Sequence, residues 1–114
     1  MTAEEVNYII SHYSDLLNLN EKRALKHHRS SLKLQDMPDG EIRRQLYLRN
    51  NWLTDDPEIL NYLSEGYVQF IITTAENVLK NHPGKMFFNR CKICGKLART
   101  PLANQCRFCG HDWH

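Results

Sequence analysis

The chain has 114 residues, enough for one ordinary domain or a small domain with an appendage. Hydrophobic residues make up 41%, and no run approaches the ~20 apolar residues that cross a bilayer, so a membrane partner is not expected. The formal net charge of +2 excludes a polycation, but the distribution is uneven: residues 1–84 carry nine Lys/Arg against twelve Asp/Glu, and residues 85–114 carry six against Asp112 alone. That basic excess suits nucleic acid or an acidic protein surface, and equally suits cations that offset thiolate charge.

The first predicted element is a helix. Thr2 and Glu5 form a capping box, and Val6, Ile9, Ile10, Tyr13, Leu16 and Leu17 follow helical spacing. Asn18 or Asn20 then caps a second helix, about Glu21 to Leu34, with Ala24, Leu25, His28 and Leu32 as its inner stripe. Its outer face is basic (Lys22, Arg23, Lys26, Arg29, Lys33), which reads as a solvated face or as a phosphate-contacting patch. His27 and His28 point about 100° apart on a helix and do not share an ion; His28 is expected half-buried and His27 exposed.

Asp39 is expected to cap a third helix, about Glu41 to Asn50, with Ile42, Gln45, Leu46 and Arg49 along one stripe. Asp55-Asp56-Pro57-Glu58 is a strong start signal, with Pro57 at the first position of a fourth and longest helix that runs to about Lys80. Gly66 falls inside its period, at a cost of about 1 kcal/mol against Ala, and marks a bend or a close helix contact. His82-Pro83-Gly84 stops it. Four helices with short connections predict a mainly α fold, with residues 1–84 as a four-helix bundle-like domain.

Residues 85–114 read differently. Cys91-Lys92-Ile93-Cys94-Gly95-Lys96 and Cys106-Arg107-Phe108-Cys109-Gly110-His111 repeat one pattern and use all four cysteines, with eleven residues between the pairs. Two residues between cysteines let both sulfurs of a tight turn reach one ion, and a following glycine takes positive φ without strain. Two such turns supply four ligands, so Cys91, Cys94, Cys106 and Cys109 are the expected ligands of one structural Zn2+ ion. Iron suits an all-sulfur tetrahedron too, and disulfides are the reading for an oxidising compartment. Met1-Thr2-Ala3-Glu4-Glu5 starts no signal peptide, so a reducing, cytoplasmic setting is expected.

Leu97-Ala98-Arg99-Thr100 and the residues near Gln105 are expected to form a small β-hairpin, with Pro101 at its turn. A segment of about 30 residues cannot fold on its own burial, and structural zinc adds on the order of 10 kcal/mol. The apolar residues Phe87, Phe88, Ile93, Leu97, Leu102, Phe108 and Trp113 exceed what so small a hairpin hides, so several are expected to pack on the long helix.

The segment from residue 88 to 114 resembles a zinc ribbon of the double-knuckle type, CxxCG twice. The resemblance implies Cys91, Cys94, Cys106 and Cys109 as zinc ligands and Gly95 and Gly110 as knuckle glycines. The run CKICGKLARTPLANQCRFCGHDWH is also similar to one in small uncharacterised bacterial proteins, which implies a bacterial, cytoplasmic setting. The short central connection, with few exposed aromatics, departs from many nucleic-acid-binding ribbons.

Four cysteine ligands leave no open position for a substrate, and the chain has no HExxH, no glycine-rich phosphate loop and no Ser/His/Asp set. No catalytic residue and no small-molecule substrate are therefore expected. His111 and His114 read as surface residues, or as neighbours or substitute ligands of the site. The expected role is a non-enzymatic module for a protein or nucleic-acid partner, with Lys96, Arg99 and Arg107 as contact residues. The alternative is a redox- or metal-responsive protein, as a zinc sensor or with rubredoxin-like iron.

Overall fold

A computed structural model describes residues 1–38 and 40–113. It is mainly helical: α1 Ala3–His12, a 3-10 turn Ser14–Leu16, α2 Leu19–Gln35, α3 Gly40–Arg49, α4 Pro57–Asn61 and α5 Tyr67–Asn81. The helix starts are set locally. Thr2 and Glu5 close a capping box on α1, Asn18 and Glu21 close another on α2, and Asp56 caps α4 ahead of Pro57. The expected cap Asp39 lies outside the described residues.

The chain divides into two compact units, one of residues 1–16 and 75–114, the other of residues 17–74. In the first unit the buried apolar residues include Val6, Tyr8, Ile9 and Ile10 of α1, Ala75 and Val78 of α5, and Met86, Leu97 and Ala98 beyond it. The hydroxyls of Tyr8 and Tyr13 both reach the backbone of the C-terminal segment. The Tyr8 hydroxyl accepts from the Asn89 N–H at 3.3 Å, and the Tyr13 hydroxyl donates to the Phe87 carbonyl at 3.3 Å. Tyr8 also packs its ring against Phe88, with centroids 5.7 Å apart.

In the second unit Leu17, Ala24, Leu25, Leu53, Ile59, Phe70 and Ile71 are buried. His28 is half-buried and stacks on Tyr67 at 4.0 Å. His27, expected exposed, is half-buried too, because its Nδ1 accepts the Thr54 backbone N–H at 3.0 Å. α3 ends in a Schellman motif. Asn51 takes φ 61°, the Trp52 N–H donates to the Tyr47 carbonyl at 2.9 Å, and the Asn51 N–H donates to Leu48 at 3.2 Å. Tyr47 and Trp52 meet edge to face at 5.2 Å across that turn.

Further expectations are corrected. The single long helix over 57–80 is two helices. Tyr62, Leu63, Ser64 and Gly66 donate three residues back, and Gly66 takes φ 95°, a left-handed conformation just before α5 that keeps the two helices apart. The expected inner stripe of the third helix faces outward: Ile42 and Leu46 are 66% and 46% exposed, and no residue of α3 is buried. Leu32, expected inside on α2, is exposed as well.

The C-terminal hairpin is corrected too. No strand is present among the described residues, and the two β-bridges, Arg90 with Leu97 and Gln105 with Asp112, each close one cysteine turn. The carbonyls of Thr100, Pro101 and Ala103 are taken by the Asn89 side-chain amide at 3.0, 3.3 and 2.9 Å, which holds the connection as a loop.

Candidate metal centre

The two cysteine turns repeat the same backbone hydrogen bonds at an offset of 15 residues. The Cys91 N–H donates to the Lys96 carbonyl at 3.0 Å, and the Cys106 N–H to the His111 carbonyl at 2.7 Å. The Gly95 N–H returns to the Cys91 carbonyl at 2.9 Å, and the Gly110 N–H to Cys106 at 3.0 Å. The outer pair repeats as well: Ala98 to Asn89 at 2.7 Å, and Trp113 to Asn104 at 2.8 Å. Gly95 and Gly110 take φ 75° and 78°, the positive values expected of them. A side chain at either would meet nothing within 4 Å, so backbone conformation and not space selects glycine there.

These turns bring all four sulfurs within 4.8 Å of one another. The nearest pairs join the two turns: Cys91 Sγ to Cys109 Sγ at 3.6 Å, and Cys94 Sγ to Cys106 Sγ at 3.5 Å. Both are far beyond the ~2.05 Å of a disulfide and close to the ~3.8 Å edge of a tetrahedron with metal–sulfur bonds of about 2.3 Å. The four-cysteine cluster is therefore arranged to bind a metal ion. Backbone donors complete the fit, with the Ile93 N–H 3.4 Å from Cys91 Sγ and the Phe108 N–H 3.4 Å from Cys106 Sγ.

The same donors set the acidity of the thiols. The Cys109 and Phe108 N–H groups bring Cys106 down to about 6 against the opposing effect of burial, and the Cys94 and Ile93 N–H groups lower Cys91. Cys109 moves the other way: the His111 N–H favours its thiolate, but burial and the crowded sulfurs outweigh it and push it up to about 11. Four thiolates in this volume repel one another, and a central cation removes the conflict. Cys91 and Cys106 are buried, while Cys94 and Cys109 are exposed.

The expected partner residues have intramolecular contacts. Lys96 and Arg107 both lie over the Phe108 ring, at 4.7 and 4.8 Å from its centroid. Arg107 also pairs with Glu4 at 3.2 Å. Arg99 and Arg107, with Gln105, Cys106 and Gly110, line an open recess beside the second turn. The Arg99 carbonyl bonds to His12 Nε2 at 3.0 Å. His111 offers no ligand to the cluster; its ring lies 5.9 Å from that of Trp113. His114 lies outside the described residues.

Sequence reasoning found Glu5 only as a helix cap and missed its pairing with Arg90, and it missed Tyr8 and Asn89. Glu5 reaches Arg90 at 2.6 Å, beside Cys91, the first cysteine of the cluster. Only the Glu5 cap had a local signal; its second oxygen and the two other residues act across more than 80 positions of chain or through a loop without periodicity.

No family model matches this chain, and no curated protein or solved structure matches it. No helix of the described residues is long and apolar enough to cross a membrane.

Proposed function

We propose that the cluster holds one structural Zn2+ ion and that the protein is a non-enzymatic interaction module whose C-terminal ribbon the metal keeps folded. The observation that carries this reading is the mutual approach of four sulfurs, which fills every position of a tetrahedral shell and leaves none for a substrate. Cys91, Cys94, Cys106 and Cys109 are the ligands, and His111 stays outside them. In this reading residues 85–114 are the zinc ribbon, of the double-knuckle kind found in cytoplasmic bacterial proteins.

The partner surface lies on Lys96, Arg99 and Arg107. Support comes from the recess that Arg99 and Arg107 line and from Phe108, half exposed between Lys96 and Arg107. Basic side chains beside an aromatic ring suit either phosphates and bases or an acidic protein surface. The test is retention of partners from native lysate by immobilised protein, with and without chelator and with and without nuclease. Metal-dependent retention, lost on joint Lys96→Ala, Arg99→Ala and Arg107→Ala substitution, is expected. Retention that ignores both chelator and substitution would overturn the reading.

A redox- or metal-responsive role is the second reading, and the exposure of Cys94 and Cys109 favours it. Zinc released by mild oxidant and regained on reduction, with partner binding following the metal, would select it. Metal analysis of the isolated protein separates zinc from iron, since the all-sulfur iron site absorbs visible light and the zinc site does not.

A further inference from the structure

The outward stripe of α3 is apolar, exposed and separate from the cysteine cluster. A helix of ten residues is marginal in water unless one face is packed. The packed side here is that of Tyr47 and Leu48, both half-buried, and of Arg44, whose charge acts on His27 of α2. At about 100° per residue, Ile42 and Leu46 fall on the opposite side, one turn apart, with Arg49 continuing their line and Arg43 beside it. Scattered exposed apolar residues are ordinary. Here they keep the spacing of a core stripe on a helix with no buried residue.

The charge of that face identifies what would cover it. Arg43, Arg44 and Arg49 form no ion pair among the described residues, and Glu41, the one acid of α3, accepts from Gln45 Nε2 at 3.2 Å. We propose that the Ile42–Leu46 face of α3 docks an acidic amphipathic helical segment of a partner protein, its apolar side chains against Ile42 and Leu46 and its carboxylates on Arg43 and Arg49. A second copy of this chain fits poorly, because a two-fold interface sets the same guanidiniums against each other. Nucleic acid fits poorly too, because Ile42 and Leu46 give bases no aromatic face on which to stack. The site uses no residue of the zinc ribbon and does not depend on its function.

The test uses the metal-loaded full chain, labelled with 15N, and three synthetic peptides of about 15 residues. The first has Leu at i, i+4 and i+7 flanked by Glu and Asp; the second replaces every acid by Lys; the third replaces every Leu by Ser. The first peptide is expected to shift the amides of Ile42, Arg43, Leu46 and Arg49 and to bind at least about tenfold more tightly than the others. Leu46→Asp, or Leu46→Ser if the former disturbs the helix, is expected to weaken it about tenfold with circular dichroism unchanged. Joint Arg43→Ala and Arg49→Ala substitution is expected to weaken it and flatten its salt dependence. Equal binding of the acidic and basic peptides, or no shift in residues 40–49 with the acidic one, would overturn the proposal. So would self-association in sedimentation that Leu46→Asp abolishes, which would make the occupant a second copy.

Discussion

The Arg90 guanidinium meets one carboxylate oxygen of Glu5 at 2.6 Å, while the other accepts the Thr2 backbone N–H at 2.8 Å. One side chain thus closes the N-terminus of α1 and holds the residue next to Cys91. The Thr2 N–H, with Arg90 adding to it, keeps the Glu5 carboxyl below its usual range despite partial burial. A carboxyl lowered in the native state binds its proton more tightly when unfolded. Its stabilisation is complete above the unfolded value of about 4.3 and is lost as pH falls through the lowered native value. Glu5→Ala is expected to cost about 1 kcal/mol in urea denaturation at pH 7 and to flatten the acid side of the stability profile. An unchanged profile would show that Glu5 does not titrate differently on folding.

If the cysteine cluster holds a metal as proposed, removal of that metal is expected to open residues 85–114. The Cys91, Ala98, Cys106 and Trp113 amides, each bonded within its own cysteine turn, should lose protection from hydrogen exchange after chelation. Cys106→Ser should prevent stoichiometric binding even with zinc in excess. Protection that persists at all four amides without metal would mean that the turns hold themselves.

Gly95→Ala and Gly110→Ala test the turns from the backbone side. Both glycines have positive φ with open space around them, so the substitution adds conformational strain and no clash. Each is expected to cost about 1 kcal/mol in the zinc-loaded protein, read as a fall in melting temperature, and to speed metal loss to a competing chelator. Gly84→Ala, at a glycine without positive φ, is the control and is expected to change neither.

His27 makes the second unit sensitive to acid. Its Nδ1 accepts the Thr54 N–H, so only the neutral ring serves, and burial first, then Arg44 and His28, lower its affinity for a proton. The stabilisation is present above the unfolded value of about 6.5 and is lost as pH falls through the lowered native value. The Thr54 amide should therefore lose exchange protection in mildly acidic buffer before the core amides do. His27→Asn, which offers an acceptor that does not titrate, should remove that dependence; a Thr54 response unaltered in this variant would assign the transition to another group.

Much of the local structure was legible because it is written in neighbouring residues. The capping boxes at Thr2 and Asn18, the Asp56-Pro57 start and the stop at Asn50-Asn51 all act within one or two turns of chain. The cysteine turns were legible for the same reason, since each closes on itself within eight residues, Arg90 to Leu97 and Gln105 to Asp112. The hairpin was not, because the carbonyls meant for a ladder were captured by Asn89, whose reach depends on folded geometry. Gly66 sat in an unbroken apolar period, and period alone does not reveal that its φ turns positive.

By itself the sequence determined the four cysteines that cluster, the two glycines that shape their turns, and where most helices begin, because each follows from covalent spacing and the first turn of backbone. Only the tertiary structure decided which apolar stripes became core. Ile9 and Ile42 both sit in helical periods, yet Ile9 is fully buried and Ile42 is 66% exposed. Periodicity gathers apolar side chains on one face of a helix, but burial needs another surface to cover that face, and the chain provides one for α1 and none for the Ile42 side of α3.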